Sequence, residues 1–189
     1  MKNNKMNVLF LSNMIAEKGV GTIVEAAKIL HEKKLPVEFH FVGKWSDITE
    51  EQFKRALNDY HLEDVCFAHG GKYGKEKDEF WAAADVFVFP TFYHNECFPL
   101  VLLEAMQHHL PCISTTEGGI PGIINDKETG FLIEKQDFHT LADKLEYFIE
   151  HPEESERMGE NGYRKFQDKF TLRKFEESMV DILNDCLKG

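Results

Sequence analysis

Two carboxylates bracket the segment E-C-F-P-L-V-L-L-E, with Glu96 at one end and Glu104 at the other. Pro99 opens a helix here, because proline is favoured in a first helical turn. The first amides of that helix, on Leu100 and Val101, are then free and point at the preceding loop. A helix start of this kind is an anion site suited to a diphosphate. Glu104 falls in the second turn, and Cα–Cβ bonds tilt toward the helix amino end. Its carboxylate can lean back toward whatever the amides hold. It stands in an otherwise apolar stretch, residues 100–106, where a lone charge is costly unless satisfied. The vicinal hydroxyls of a ribose would satisfy it. Glu96, from the loop before the helix, could reach sugar hydroxyls on the other side of the diphosphate. On these grounds alone a plainer reading stays open, with Glu96 exposed and Glu104 merely facing solvent.

A second cluster is Glu17-Lys18-Gly19, which follows the first apolar run. A lysine at the amino end of a helix is well placed as a phosphate partner, and Gly19 lets backbone approach closely. Asn13 could donate an amide hydrogen bond to the same phosphate. Other chemistry is poorly supported. His94-Asn95 and His108-His109 invite a metal reading, but a metal needs convergent ligands, and adjacent histidines on a helix diverge. No metal and no cofactor is expected. Cys97 lies within the key segment with no base evident beside it. The dinucleotide fingerprint G-x-G-x-x-G is missing after the first strand, which argues against a nicotinamide enzyme.

The 189 residues fit one domain, here 1–189, and can bury a core without staples. Charged residues make up 29% and apolar residues 42%, an ordinary soluble composition, and most of the 16 Phe read as core and strand residues. A formal net charge of −11 argues against nucleic acid and against an anionic membrane surface. It leaves room for a small anionic ligand in a local pocket of amides and cations. Cys66, Cys97, Cys112 and Cys186 form no C-x-x-C pair and read as reduced thiols in the cytoplasm. No apolar run is long enough to span a bilayer, and residues 1–7 are polar without the apolar region of a leader. A parent protein could still sit peripherally at the inner membrane.

The elements that must position these residues alternate. Apolar runs at 8–12, 37–43, 65–68, 86–89, 112–115 and 130–133 read as strands buried on both faces. Between them, Ile23, Ala26, Ala27 and Leu30 mark one helix; Phe53, Leu57 and Tyr60 mark another. A short helix spans 80–84, and one runs from Pro99 to about His109. Gly118-Gly119 and Pro121-Gly122 read as turns. Phe138, Leu141, Leu145 and Phe148, then Phe175, Met179, Ile182, Leu183 and Cys186, recur at helical spacing. The pattern is α/β: a doubly wound, six-stranded parallel sheet with helices on both faces, a core of about 7–150 and carboxyl-terminal helices over about 153–188. In such a sheet ligands bind beyond the carboxyl ends of the strands. The loops at 12–21, 43–47, 91–99 and 115–122 lie there.

Several segments together carry a resemblance. P-T-F-Y-H-N-E-C-F-P-L-V-L-L-E-A-M, with its E-x7-E spacing, and L-P-C-I-S-T-T-E-G-G-I-P resemble the signature of family 4 retaining glycosyltransferases. F-L-S-N-M-I-A-E-K-G-V-G-T-I-V-E-A-A resembles their phosphate-binding segment; V-C-F-A-H-G-G and A-A-A-D-V-F-V-F-P-T fit between. The likeness spans roughly residues 8–133. It implies one Rossmann-like half of a GT-B fold, the half that holds the nucleotide-sugar donor. Residue by residue, it implies Lys18 on the diphosphate and Glu104 on the ribose. Glu96 would touch the transferred sugar, with Phe98, Leu100 and Val101 placing backbone at the phosphates and sugar. Gly70 and Gly71 would lie beside the base.

Three positions depart from the pattern. Ser12-Asn13 stands where the family often has Gly-Arg, removing a charged hydrogen bond of about 1.5–3 kcal/mol. Pro99 stands for a common Gly and has no amide to give. Gly122 stands where a Glu often follows the Gly-Gly-x-Pro turn. The resemblance also implies a partner half, an amino-terminal acceptor domain expected to be absent from this chain. The isolated chain is then expected to bind rather than catalyse. Its cleft and last helix should expose an apolar surface that could self-associate. Two other readings are a non-catalytic nucleotide-sugar-binding or assembly module, and a nucleotide-sugar epimerase or phosphorylase of the same fold.

Overall fold

The computed structural model describes residues 5–188. Residues 1–4, part of the polar amino-terminal stretch, and residue 189 lie outside the described residues, so both ends of the 1–189 domain expectation do too. Six strands form one parallel sheet: β1 (Met6–Leu11), β2 (Val37–Val42), β3 (Cys66–Ala68), β4 (Val86–Phe89), β5 (Cys112–Thr115) and β6 (Gly130–Ile133). Their order is β3-β2-β1-β4-β5-β6. The helices are α1 (Val20–Glu32), α2 (Glu50–Tyr60), α3 (Lys75–Ala83), α4 (Leu100–Gln107), a single turn α5 (Ile120–Ile123), α6 (Phe138–Glu150), α7 (Pro152–Lys169) and α8 (Leu172–Lys188).

The strands are largely apolar because helices cover both faces; β4 and β5 are buried along their whole length. Register assigns the faces. Phe10 lies beside Phe41, whose ring meets Phe53 of α2 at 4.9 Å; α1 and α6 pack together and are linked by the Lys33–Glu146 ion pair. Leu9 lies beside Phe87, whose ring meets Trp81 of α3 at 5.1 Å, so α3 covers the opposite face. α4 packs on α7, and Gly159 sits so close to the His109 carbonyl that any Cβ would lie 2.0 Å from it.

Local chemistry sets the helix starts. Thr49 and Gln52 form a reciprocal capping box for α2. Asp137 caps α6, and its hydrogen bonds from Thr140 hold that carboxyl below its ordinary range. The ends of β1, β2, β3 and α4 shift by one or two residues from the sequence expectation, and two differences are larger. α3 begins at Lys75, five residues before Phe80, because the run Lys75-Glu76-Lys77-Asp78-Glu79 is helical without apolar periodicity. Gly119 to Gly122 is no plain turn: Pro121 sits in the first turn of α5.

The order of strands places a topological switch between β1 and β4, where successive connections leave in opposite directions. A crevice opens at such a point, outside the strands' carboxyl ends. The loops after β1 and after β4 form its walls.

Candidate functional site

After β1 the chain runs straight on to Met14, whose amide donates to the Lys44 carbonyl at 2.8 Å. It then winds into a 3₁₀ turn, Ala16–Lys18, and leaves through Gly19 at φ 90°. Only glycine fits, since a Cβ there would lie 2.3 Å from the Pro90 carbonyl oxygen. The turn is therefore docked on the exit of β4. Phe92 N–H donates to the Glu17 carbonyl at 2.8 Å, and the Thr91 hydroxyl donates to it at 3.3 Å. Thr115 Oγ1 in turn donates to the Thr91 carbonyl at 2.5 Å, and Ser114 Oγ to the Phe89 carbonyl at 2.6 Å. A ladder of buried hydroxyls thus sets the exits of β4 and β5 in register.

This docking brings Lys18 Nζ to Glu96 Oε2 at 2.5 Å, with the two side chains 14% and 11% exposed. The Lys18 ammonium also lies 4.4 Å from the Tyr93 ring centroid, a cation–π contact that orients it further. Gly118 and Gly119 support the Glu96 loop from below. Gly119 N–H donates to the Cys97 carbonyl at 2.7 Å. Gly118, at φ 52°, leaves no room for a Cβ, which would lie 1.6 Å from the Glu96 carbonyl oxygen.

Pro99 is the residue before the first turn of α4 rather than a member of it. Its carbonyl accepts from Leu102 N–H at 3.1 Å, so the amides of Leu100 and Val101 are the ones without intrahelical partners. Glu104 is no lone charge: its Oε1 takes Lys77 Nζ of α3 at 2.9 Å. Lys135, beyond β6, pairs with Glu117 beside Gly118. Each of these three cations at the strands' carboxyl end thus has a carboxylate partner, within a strongly acidic chain.

The structure brings Lys18 and Glu96 together beside the exits of β1 and β4; Leu100 and Val101 open α4 behind that loop, and Glu104 lies further along α4 against Lys77. Asn13 is exposed at the exit of β1. Phe98 is half-exposed, and its ring stacks edge-on against Phe170 at 6.0 Å, tying the Glu96 loop to the α7–α8 junction. Gly70 and Gly71 follow β3, three strands away from β4, or about 14 Å at normal strand spacing. There the Gly70 carbonyl accepts from Gly43 N–H at 2.9 Å. Sequence reasoning missed Lys77, Tyr93, Thr91, Thr115 and the supporting role of Gly118-Gly119. Hydroxyls placed at the ends of otherwise apolar strands were the available signal for the two threonines.

Histidines form no metal constellation here. His108 stacks on Trp81, whereas His109 hydrogen-bonds Glu160 at 2.9 Å. Among the described residues no three His, Cys, Asp or Glu side chains converge. The four thiols are free; burial pushes Cys66 up to about 12 and Cys112 higher still. Among the described residues no helix is long and apolar enough to cross a membrane.

Residues 1–165 match the family model of glycosyl transferases group 1. The chain belongs to that family. It is 26% identical over 189 residues to the capsular polysaccharide biosynthesis glycosyltransferase CapM of Staphylococcus aureus, covering 98% of this chain but 48% of CapM. The fold agrees. A carboxyl-terminal domain of a group 1 glycosyltransferase from Francisella tularensis superposes with a TM-score of 0.78 at 24% identity, over 88% of this chain and 87% of that one. Anabaena HepE, solved with UDP-glucose, gives 0.84 at 19% identity, over 96% of this chain and 49% of HepE. The sheet thus has the Rossmann-like fold of these GT-B domains, and the chain spans about half the length of CapM and of HepE.

Proposed function

We propose that this chain is the donor-binding half of a retaining family 4 glycosyltransferase, holding a nucleotide diphospho-sugar whose hexosyl unit passes to a glycan or glycolipid acceptor. The observation that carries this reading is the meeting of Lys18 and Glu96 at the β1–β4 crevice, in the loop that leads into α4. CapM acts in capsular polysaccharide biosynthesis and HepE binds UDP-glucose, which supports a sugar nucleotide as the ligand.

In this reading the diphosphate competes with Glu96 for Lys18. The ammonium and the amides of Leu100 and Val101 then neutralise charge that grows on the diphosphate as the sugar departs, which is preorganised electrostatic stabilisation. Glu96, released from Lys18, accepts hydrogen bonds from the sugar hydroxyls. Glu104 accepts from the ribose, and the base lies toward Gly70 and Gly71. The acceptor side of the cleft comes from a second domain, in the same polypeptide or a partner, because relatives of this chain are about twice its length. The 189-residue chain by itself binds donor without transferring sugar.

The exposed Asn13 favours a second reading, a module that keeps the pocket without catalysis, since the site lacks a guanidinium there. Calorimetric titration with UDP, GDP and ADP and their sugar conjugates tests both. Saturable binding of one nucleotide, weakened in Glu104→Ala, supports the donor-site reading and names the base. Absence of binding at millimolar ligand by both this chain and a full-length parent would sink it. A full-length parent that binds donor but never transfers the sugar would favour the module.

A further inference from the structure

We propose that Lys77 is the positioning residue for Glu104, fixing its carboxylate as the acceptor of the ribose hydroxyls of a nucleoside diphosphate. The inference rests on the donor-site reading above and assigns a residue on α3 to it.

α3 and α4 lie side by side and touch through two matched rungs. Lys77 and Trp81 are one turn apart on α3; Glu104 lies on α4, and His108, the residue capping that helix, donates its N–H to the Glu104 carbonyl at 3.2 Å, so each pair shares one side of its helix. The upper rung is Lys77 Nζ to Glu104 Oε1 at 2.9 Å. The lower rung is Trp81 stacked on His108, with ring centroids 5.7 Å apart and planes 10° from parallel. Trp81 is buried and also packs on Phe87 of β4. The helix carrying Lys77 is therefore pinned to the sheet, and its ammonium is held within reach of Glu104. Lys77 takes Oε1 alone; Oε2 has no partner among the described residues. The carboxylate is thus held by one oxygen and free to accept with the other.

Two physical effects follow, and they separate experimentally. Removing the ammonium leaves an unbalanced carboxylate near a diphosphate, which weakens every nucleoside diphosphate alike. Removing it also frees the carboxylate to leave the geometry that two vicinal hydroxyls require, which weakens only ligands that carry those hydroxyls. The preference for a ribonucleotide over its 2′,3′-dideoxy counterpart reads the second effect alone.

The test titrates UDP, GDP and ADP and their 2′,3′-dideoxy analogues into the 189-residue chain, using the base that binds best. Wild type should favour the ribonucleotide by about tenfold or more. Glu104→Ala should bring that ratio close to one. Lys77→Met should lower it about fivefold, and Lys77→Arg should keep most of it, because Arg restores charge and donor. Melting temperatures of the two Lys77 variants should stay close to wild type, as the Trp81 anchor is untouched. A Lys77→Met protein that binds both ligands more weakly at an unchanged ratio overturns the proposal, leaving Lys77 a charge partner only. A Glu104→Ala protein that keeps the wild-type ratio overturns the ribose role of Glu104 itself, and the proposal with it.

Discussion

Lys18 and Glu96 lie 78 residues apart in the chain and serve as each other's counter-ion in a mostly buried setting. A ligand that displaces either must supply an equivalent charge partner, since an unpaired buried charge is costly. That favours an anion for Lys18 and hydroxyl donors for Glu96, the two ends of a sugar diphosphate. Asn13 stands at the same crevice without a charge. Asn13→Arg should raise affinity for the best-binding nucleoside diphosphate about tenfold, the effect of one charge-assisted hydrogen bond. Titration checks it, and an unchanged affinity would place the phosphates away from the exit of β1. Gly118 makes a harsher test. Its φ of 52° and the 1.6 Å approach of a Cβ to the Glu96 carbonyl leave no conformation for a side chain. Gly118→Ala should destabilise the fold by about 2 kcal/mol or more, seen as a lower melting temperature, and should weaken nucleotide binding as the Glu96 loop shifts.

Elements differ in how much their residues reveal. β4, β5 and β6 are apolar runs ended by Pro, hydroxyl residues or Glu, and their limits were readable to the residue. α4 announced itself through Pro99 and the run behind it. α3 did not, because its first five residues are all charged and carry no apolar stripe. Lys77 lies among them, so the partner of Glu104 was invisible while Glu104 itself was not. Long-range docking was equally hidden: nothing local tells that Gly118 lies under Glu96 or that Phe98 meets Phe170. α3 also covers a feature with a pH consequence. His40 Nδ1 and His69 Nε2 are hydrogen-bonded at 3.0 Å, and His40 reaches Asn7. Phe80 packs on His69. Burial lowers both imidazoles below their ordinary value of 6.5, against the opposing pull of Glu38 on His40. The unfolded chain therefore binds protons more readily below about pH 6.5, so stability falls as pH drops through that value toward the folded pKa values. Thermal melts from pH 7.5 to 5.5 should show this fall, and a His40→Gln, His69→Gln double variant should flatten it. Carboxylates held down by partners, such as Asp137, act only at lower pH and leave this window clear. An unchanged slope in the double variant would mean that the pair titrates alike in both states.

At the scale of the whole molecule, α8 stands out because none of its described side chains is buried. It meets α7 at one end, and Leu172, Phe175, Met179, Val180, Ile182, Leu183 and Leu187 are all exposed along it. Their three- and four-residue spacing makes one continuous apolar stripe, of a kind that a monomeric protein rarely leaves uncovered. In the proposed full enzyme the second domain covers it, and the Phe98–Phe170 contact then links that docking to the Glu96 loop. In the isolated chain another copy is the available cover, opposed by a net charge of −11 on each molecule. Salt screens that repulsion while leaving apolar burial intact, so self-association should strengthen between low and physiological ionic strength. Sedimentation velocity at rising protein concentration measures this directly. Phe175→Glu with Ile182→Glu should abolish the association, yet leave the melting temperature nearly unchanged, because these side chains face away from the core. A chain that stays monomeric at high concentration and high salt would show that the stripe is not covered by self-pairing. Loss of stability in the double variant would show instead that α8 packs on its own fold.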